Sequence, residues 1–313
     1  MADVPGSAPV GKLLVAHPER KAQRALVRLV GACSVPVEVA THIDALNQIE
    51  PTTIAIVDAG IARAHPGLHD KQARAWITVP GEGLDPAEPE IIDGLLAGGW
   101  THVIAHPMPI LADELVAAVQ KLIRGDVFGL EKYMTWGAEC RSYTLEDTRD
   151  REAVVNQLAK DIVAVGLPDR ISSLVSVIAD ELIANAAYGA PVDPAGVRFR
   201  ANEPRDLSRK LVERDAVTVR WATDARYLAI EVRDRWGSID PQTTGMKLAA
   251  GKQAAAQNDG GMGLPLAYAC CNQLVIGVAP SRLTEVIALL DVRHKPTDLA
   301  RAASFHTFVG EPP

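Results

Sequence analysis

The first 125 residues alternate between strand-like and helix-like runs, and this alternation limits the fold more than any other feature. KLLVAHPE is a short apolar run suited to a buried strand, and RKAQRALVRLVGA follows with Ala22, Ala25, Leu26 and Leu29 at helical spacing. The pattern recurs as VPVEVA, then THIDALNQIE opening on a Thr cap, then TTIAIVDAG, which is apolar until it ends at Asp58. ARAWITVP, PEIIDGLLAGG, THVIAHPMP and LADELVAAVQKLIRG continue it. Parallel strands need crossovers, and strands apolar throughout need cover on both faces. The pattern therefore predicts an α/β domain of the doubly wound type, a five-stranded parallel (βα)5 unit whose ligands sit at the carboxyl ends of its strands.

At 313 residues the chain is long enough for a second domain. Its net charge of −7, from 32 basic and 39 acidic residues, gives no long-range attraction to phosphate backbones or anionic lipid, so nucleic acid and membrane are not expected partners. Cys33, Cys140, Cys270 and Cys271 show no C-x-x-C pair, against a disulfide framework or zinc site. No run of 18 apolar residues occurs and MADVPGSAPVGK lacks the marks of a secretory signal, so the expected location is the cytoplasm. His65 and His69 stand at metal-pair spacing, but Pro66 and Gly67 break the helix such a pair requires, which leaves them as loop histidines.

The alternation stops at GDVFGLEKYMTWGAECRSYTLEDTRD, which sets a junction over 126–150 with CRSYTLE as a candidate edge strand. Two helices follow, DREAVVNQLAKDIVAVG and LPDRISSLVSVIADELIANAAYGAP. At about 100° per residue, Ile171, Leu174, Val175, Ile178 and Leu182 form one apolar stripe with Asn185 inside it and Glu181 at its margin, while Asp180 faces away. Buried polar groups need partners. An internal hydrogen bond or water would serve, and so would a Mg²⁺ ion held by Asn185 with Glu181 as base to an attacking hydroxyl. After a polar stretch near 191–215, AVTVRWAT and YLAIEVRD read as a hairpin whose second strand ends at Asp234. GGMGLPLAYACCNQLVI places glycines before an apolar helix, where amides can cradle phosphate, and TEVIALLDVR reads as the strand that closes the sheet.

Over roughly residues 10–125 the order of elements resembles the receiver domain of bacterial response regulators. Asp58 falls at the phospho-accepting aspartate and Thr78 at the hydroxyl of the fourth strand. The acidic pair that would hold Mg²⁺ reads His17-Pro18, and the lysine position is His106, so residues 1–125 read as a degenerate receiver with Asp58 a degenerate phospho-acceptor.

Residues 140–293 resemble the histidine-kinase-like ATPase superfamily, the Bergerat fold, on the ordered set of EL-x-x-NA, a strand-ending aspartate, a Gly-rich helix start and a final strand opening with Thr. The resemblance implies an α/β sandwich with a mixed, mainly antiparallel sheet over 151–293, and ATP and Mg²⁺ as cofactors. It places Glu181 and Asn185 in the N-box, Asp234 on the adenine amino group, and Gly261, Gly263 and Leu264 at the phosphates. It puts Thr284 behind the adenine, a lid at 242–259 and Lys252 as a phosphate contact. Gly237 stands in the D-x-G-x-G region, where Trp236 replaces the first glycine. No histidine lies between His106 and His294, which argues against a histidine autokinase, and AVGLPDRISSLVSVIADELIANA is similar to the anti-sigma-factor serine kinases.

The expectation is a signalling protein in which a pseudo-receiver docks a protein partner or regulates a serine/threonine kinase-like or partner-switching domain, with homodimers common in such families. The alternatives are a non-catalytic scaffold and a slow ATPase with nucleotide-dependent dimerisation. The tail, 294–313, is open between an added edge strand and a partner contact, and 196–214 reads as an insertion.

Overall fold

The apolar runs of the amino-terminal half become strands, and the segments between them become crossovers. A computed structural model of the chain describes residues 9–205, 207–255, 263–293 and 302–312. The first elements are β1 (Lys12–Ala16), α1 (Arg20–Val30), β2 (Val37–Val39), α2 (Asp44–Asn47), β3 (Thr53–Asp58) and α3 (Ala59–Ala64). They continue as β4 (Ala75–Val79), α4 (Pro89–Ala97), β5 (His102–Val103), α5 (Ile110–Arg124), β6 (Cys140–Leu145), α6 (Asp150–Ala164) and α7 (Asp169–Ala184). The remainder are β7 (Val217–Thr223), β8 (Tyr227–Asp234), α8 (Pro241–Ala255), α9 (Gly263–Ala269), β9 (Gln273–Ala279), β10 (Leu283–Asp291) and β11 (Ser304–Val309). The chain is α/β and divides into two compact units. One comprises Met1–Val127, Gln242–Ala249 and Arg301–Glu311, and the other Phe128–Pro241, Ala250–Ala300 and Pro312–Pro313.

In the first unit the strands run parallel in the order β2-β1-β3-β4-β5. All six residues of β3 are buried, as a central strand covered on both faces requires. α1 packs with α5 and α3 with α4. Two expectations change here. α2 has only four residues and no side-chain cap, because its N-cap position is Ile43 and not Thr41. β11 adds a sixth strand, antiparallel to β5 with Phe305 opposite Val103 and His306 opposite His102, so of the two readings left open for the tail this strand supports the added edge strand. Residues 242–249 of α8 belong to the first unit, where a Cβ on Gly245 would stand 3.4 Å from the carbonyls of Leu96 and Trp100 and from the Phe305 ring.

β11 also completes a buried polar network. Glu114 accepts from His106 Nδ1 (3.2 Å) and His306 Nε2 (2.9 Å), and His306 Nδ1 lies 3.3 Å from His102 Nδ1. Burial pushes the Glu114 carboxyl up, but the two imidazole bonds outweigh it and hold it at about 2. Burial, followed by the nearby His306 and Lys121 charges, pushes His102 well down. Ser304 Oγ lies 3.0 Å from His106, yet on the same Nδ1 that meets Glu114, and Ser304 is fully buried. A nucleophilic relay uses opposite ring nitrogens and an accessible hydroxyl, so this serine, histidine and glutamate hold the tail in place.

The second unit's strands are antiparallel in the order β6-β7-β8-β10-β9. CRSYTLE forms β6, paired with β7, as expected for an edge. The β7–β8 turn is held by Asp224, whose Oδ1 accepts from the amides of Arg226 and Tyr227. β9 is a correction. The apolar run after the glycines is not one helix, because α9 stops at Ala269 and QLVIGVA pairs with β10. β10 therefore lies between two strands and does not end the sheet.

α7 packs on α6, α9, β7 and β8, and the stripe of Ile171, Val175, Ile178 and Leu182 is buried. Residues 169–189 are apolar and long enough, by composition alone, to cross a membrane, and 56% of that window is buried inside the protein. Elsewhere on the sheet, Glu285 accepts the Gly129 N–H through both oxygens (3.0 Å each) and Glu231 accepts the Leu130 N–H (3.0 Å). Arg233 reaches both carboxylates, and Arg220 bonds Glu231 and Glu131. Two acids at most 1% exposed thus anchor the junction to the sheet.

Candidate functional site in the second unit

α7 begins after Pro168, and its apolar stripe carries it inward until the helix widens into a π turn at Asn185–Gly189. Such a turn arises where one extra residue is accommodated, and it re-aims the side chains around it. Asn185 stands at the transition, half-buried, with its amide oxygen over Gly189; a Cβ on Gly189 would be 2.7 Å from that oxygen. Arg198 donates to the Gly189 carbonyl, and its charge helps to lower the carboxyl of Asp234. Arg198 therefore stands near both the Asn185 turn and the end of β8. Ser238 donates to the Ala190 carbonyl at 2.7 Å and ties the loop after β8 to the same turn.

One turn before Asn185, Glu181 is half-buried against the start of α9, where a Cβ on Gly263 would lie 2.8 Å from Glu181 Oε2. The Glu181 carboxylate thus occupies the space beside this glycine, and Leu264 follows it inside α9. Asp234 ends β8 at 3% exposure. Burial pushes its carboxyl up to about 6, with the upward shift limited by the Trp236 amide (2.8 Å), the Thr284 hydroxyl, the Gly237 amide and the Arg198 charge. Thr284 is the direct cross-strand neighbour of Asp234. Its hydroxyl is buried and forms no hydrogen bond of normal geometry, although it stands close enough to offset part of the shift at Asp234.

Gly237 has a structural requirement of its own. Its φ is +56°, and a Cβ there would overlap the Ala279 carbonyl and stand 2.7 Å from the amides of Ser281 and Arg282 in the β9–β10 turn. Trp236 is buried with Phe199 edge-on at 6.0 Å and the Arg214 guanidinium 4.3 Å from the ring centroid. The segment read as an insertion therefore contributes Phe199 and Arg214 to this region, and Arg200 within it is buried against Asp215.

The structure brings together Glu181 with Gly263, and Asp234 with Thr284 and Gly237. Lys252 lies in α8, with its side chain outside the description, and Gly261 is outside the described residues. Asp180 makes a two-point ion pair with Arg151 (2.5 and 2.6 Å) and is only partly solvent-facing. Sequence reasoning missed Gly189 and Arg198. A glycine four residues after a helical asparagine was a usable signal for the first; nothing local marks the second.

In the first unit, Asp58 caps α3 by accepting the Ile61 N–H (2.9 Å), and His17 Nε2 lies 3.7 Å from its other oxygen. His17 Nε2 also meets the Gly81 carbonyl at 3.2 Å, and Thr78 donates to the His102 carbonyl at 3.4 Å. His69 is engaged with the Pro66 carbonyl and packs on Trp100, and among the described residues no three His, Cys, Asp or Glu side chains form a metal cluster. Comparison with known proteins gives no match, either to a protein-family model or to a curated protein.

Proposed function

We propose that the second unit binds ATP with Mg²⁺ in the manner of the histidine-kinase-like ATPases, and that the chain is a cytoplasmic signalling protein. In this reading the first unit is a receiver-like module that docks a protein partner or regulates a serine/threonine kinase-like site. The observation that carries it is the pair Asp234 and Thr284. A buried acceptor with a raised pKa beside a buried hydroxyl suits a ligand amino group and the water that accompanies it. The antiparallel sheet backed by α6 and α7, with α9 packed on α7, supports the same superfamily.

The residues fit the nucleotide in three respects. Asn185 offers an amide oxygen beside a glycine, and Mg²⁺ needs few protein ligands because it keeps waters and phosphate oxygens. Gly263 brings no side chain of its own to the start of α9, where Glu181 Oε2 stands in the nearest space. When bound, ATP supplies the phosphoryl group for transfer. Glu181, half-buried near that helix start, is the group that takes a proton from an incoming hydroxyl.

Calorimetric titration with a slowly hydrolysed ATP analogue and Mg²⁺ tests this reading. Micromolar binding, about −8 kcal/mol, that Asp234→Asn and Asn185→Ala both weaken is the expected result. No binding at millimolar nucleotide would refute it. The scaffold reading would then lead, and one observation favours it: Trp236, beside Asp234, is packed by Phe199 and Arg214 in the position where a glycine would leave room. A slow ATPase with nucleotide-dependent dimerisation shares the site and differs in the acceptor.

A further inference from the structure

The first unit contains a cavity of about 230 Å³ that the nucleotide reading does not use. It opens at the carboxyl ends of β1 and β2 and beside α3, the helix that follows β3, and so flanks β1 and β3. There the strand order reverses, and chain segments leaving neighbouring strands diverge to opposite faces of a doubly wound sheet and leave a crevice. Its volume corresponds to about seven or eight waters at roughly 30 Å³ each, the size of a ligand of seven to ten non-hydrogen atoms.

The lining divides by chemistry. Ala16, Leu46 and Ile61 give it apolar walls, and Leu46 is 1% exposed. Thr41, His42 and His65 are exposed at its rim, and among the described residues no hydrogen bond, ion pair or ring contact engages their side chains. A hydroxyl and two imidazoles thus surround an apolar interior. No aspartate or glutamate lines the cavity. Two acids adjoin it in the chain: Asp44, exposed in α2 between the lining residues Ile43 and Leu46, and Asp58, with Oδ1 committed to the Ile61 N–H and Oδ2 facing His17. His17 is itself held, its Nδ1 accepting the Glu19 N–H and its Nε2 meeting the Gly81 carbonyl, so this wall is rigid.

We propose that this cavity is a binding site for a small organic carboxylate, with the apolar body against Leu46 and Ile61 and the carboxylate at Thr41, His42 and His65. Imidazole and hydroxyl groups donate to a carboxylate, and none of the lining side chains is itself an acid. Preference for the carboxylate over an uncharged molecule of the same shape is the property that distinguishes this site from a plain apolar hollow.

The test uses the full chain and follows histidine ring signals by two-dimensional NMR, assigned with His42→Gln and His65→Gln, during titration with benzoate, benzyl alcohol and acetate. Benzoate should shift both rings saturably, with benzyl alcohol at least about fivefold weaker and acetate causing no saturable change. Leu46→Trp, which fills the interior, should abolish the benzoate effect; if that variant does not fold, Ile61→Phe replaces it. Equal binding of benzyl alcohol would overturn the carboxylate assignment. Shifts by acetate equal to those by benzoate, benzoate shifts that survive the filled cavity, or no saturation would overturn the site.

Discussion

Replacing Asp234 by asparagine should make the protein more stable at neutral pH while removing its proposed ligand contact. The carboxyl rises from its ordinary 3.8 to about 6 because burial disfavours the charged form. As pH rises from about 4 to 6 the unfolded chain releases this proton before the folded one, so stability falls across that window and levels off above it. The shift is about 2 pKa units, a penalty of roughly 3 kcal/mol at pH 7.5. Asparagine carries no such penalty, keeps an oxygen for the Trp236 amide and offers an N–H to the unsatisfied Thr284 hydroxyl. With some loss for imperfect fit, the variant should gain about 1–3 kcal/mol at pH 7.5 and nothing near pH 3.5. Urea denaturation at several pH values, followed by tryptophan fluorescence, measures the difference. A variant less stable at pH 7.5, or a difference that does not change with pH, would refute the argument that burial raises this acid. A stabilised variant with weakened nucleotide binding is the pattern expected where a protein retains a costly group for function.

Other substitutions test neighbouring parts of the structure. Gly237→Ala places a Cβ in the β9–β10 turn at positive φ and should cost about 3 kcal/mol or more in the same denaturation assay. Glu114→Gln should cost about 2–3 kcal/mol at pH 7, since a carboxyl lowered to about 2 stabilises the fold above about 4.5. That cost should shrink as the pH falls from about 4.5 toward 2, and a constant cost would contradict it. Glu231 is raised by burial and then by the Glu285 charge, so its ionisation opposes folding as pH rises; Glu231→Gln should compare better with the parent at pH 8 than at pH 5. Glu181→Ala should abolish phosphotransfer and hydrolysis while leaving nucleotide affinity within about twofold, and unchanged turnover would remove Glu181 as a base.

Sequence periodicity located most of these elements. β1, β3 and β4 stood out because continuous apolar runs bounded by turns suit buried parallel strands, and α7 because its stripe recurs at helical spacing. β9 was hidden, since QLVIGVA follows α9 closely and an uninterrupted apolar run does not distinguish strand from helix. Glu181 and Asn185 could be named from their places on a helix, and Asp234 and Thr284 from the resemblance to the ATPase superfamily. Arg198 could not, because its relevance comes from the Gly189 carbonyl and the Asp234 charge, contacts absent from its own neighbourhood.

The sequence alone determined the α/β class, the alternating first half and the helix that carries Glu181 and Asn185, because side-chain periodicity and turn residues act over a few positions. Tertiary structure decided that β11 belongs to the first unit, where His306 and Ser304 meet partners about 200 positions away. It also decided that a carboxyl written as a strand-ending aspartate is out of water with its pKa near 6. Burial and long-range pairing set the energy of a charge, and neither is a property of the residues beside it.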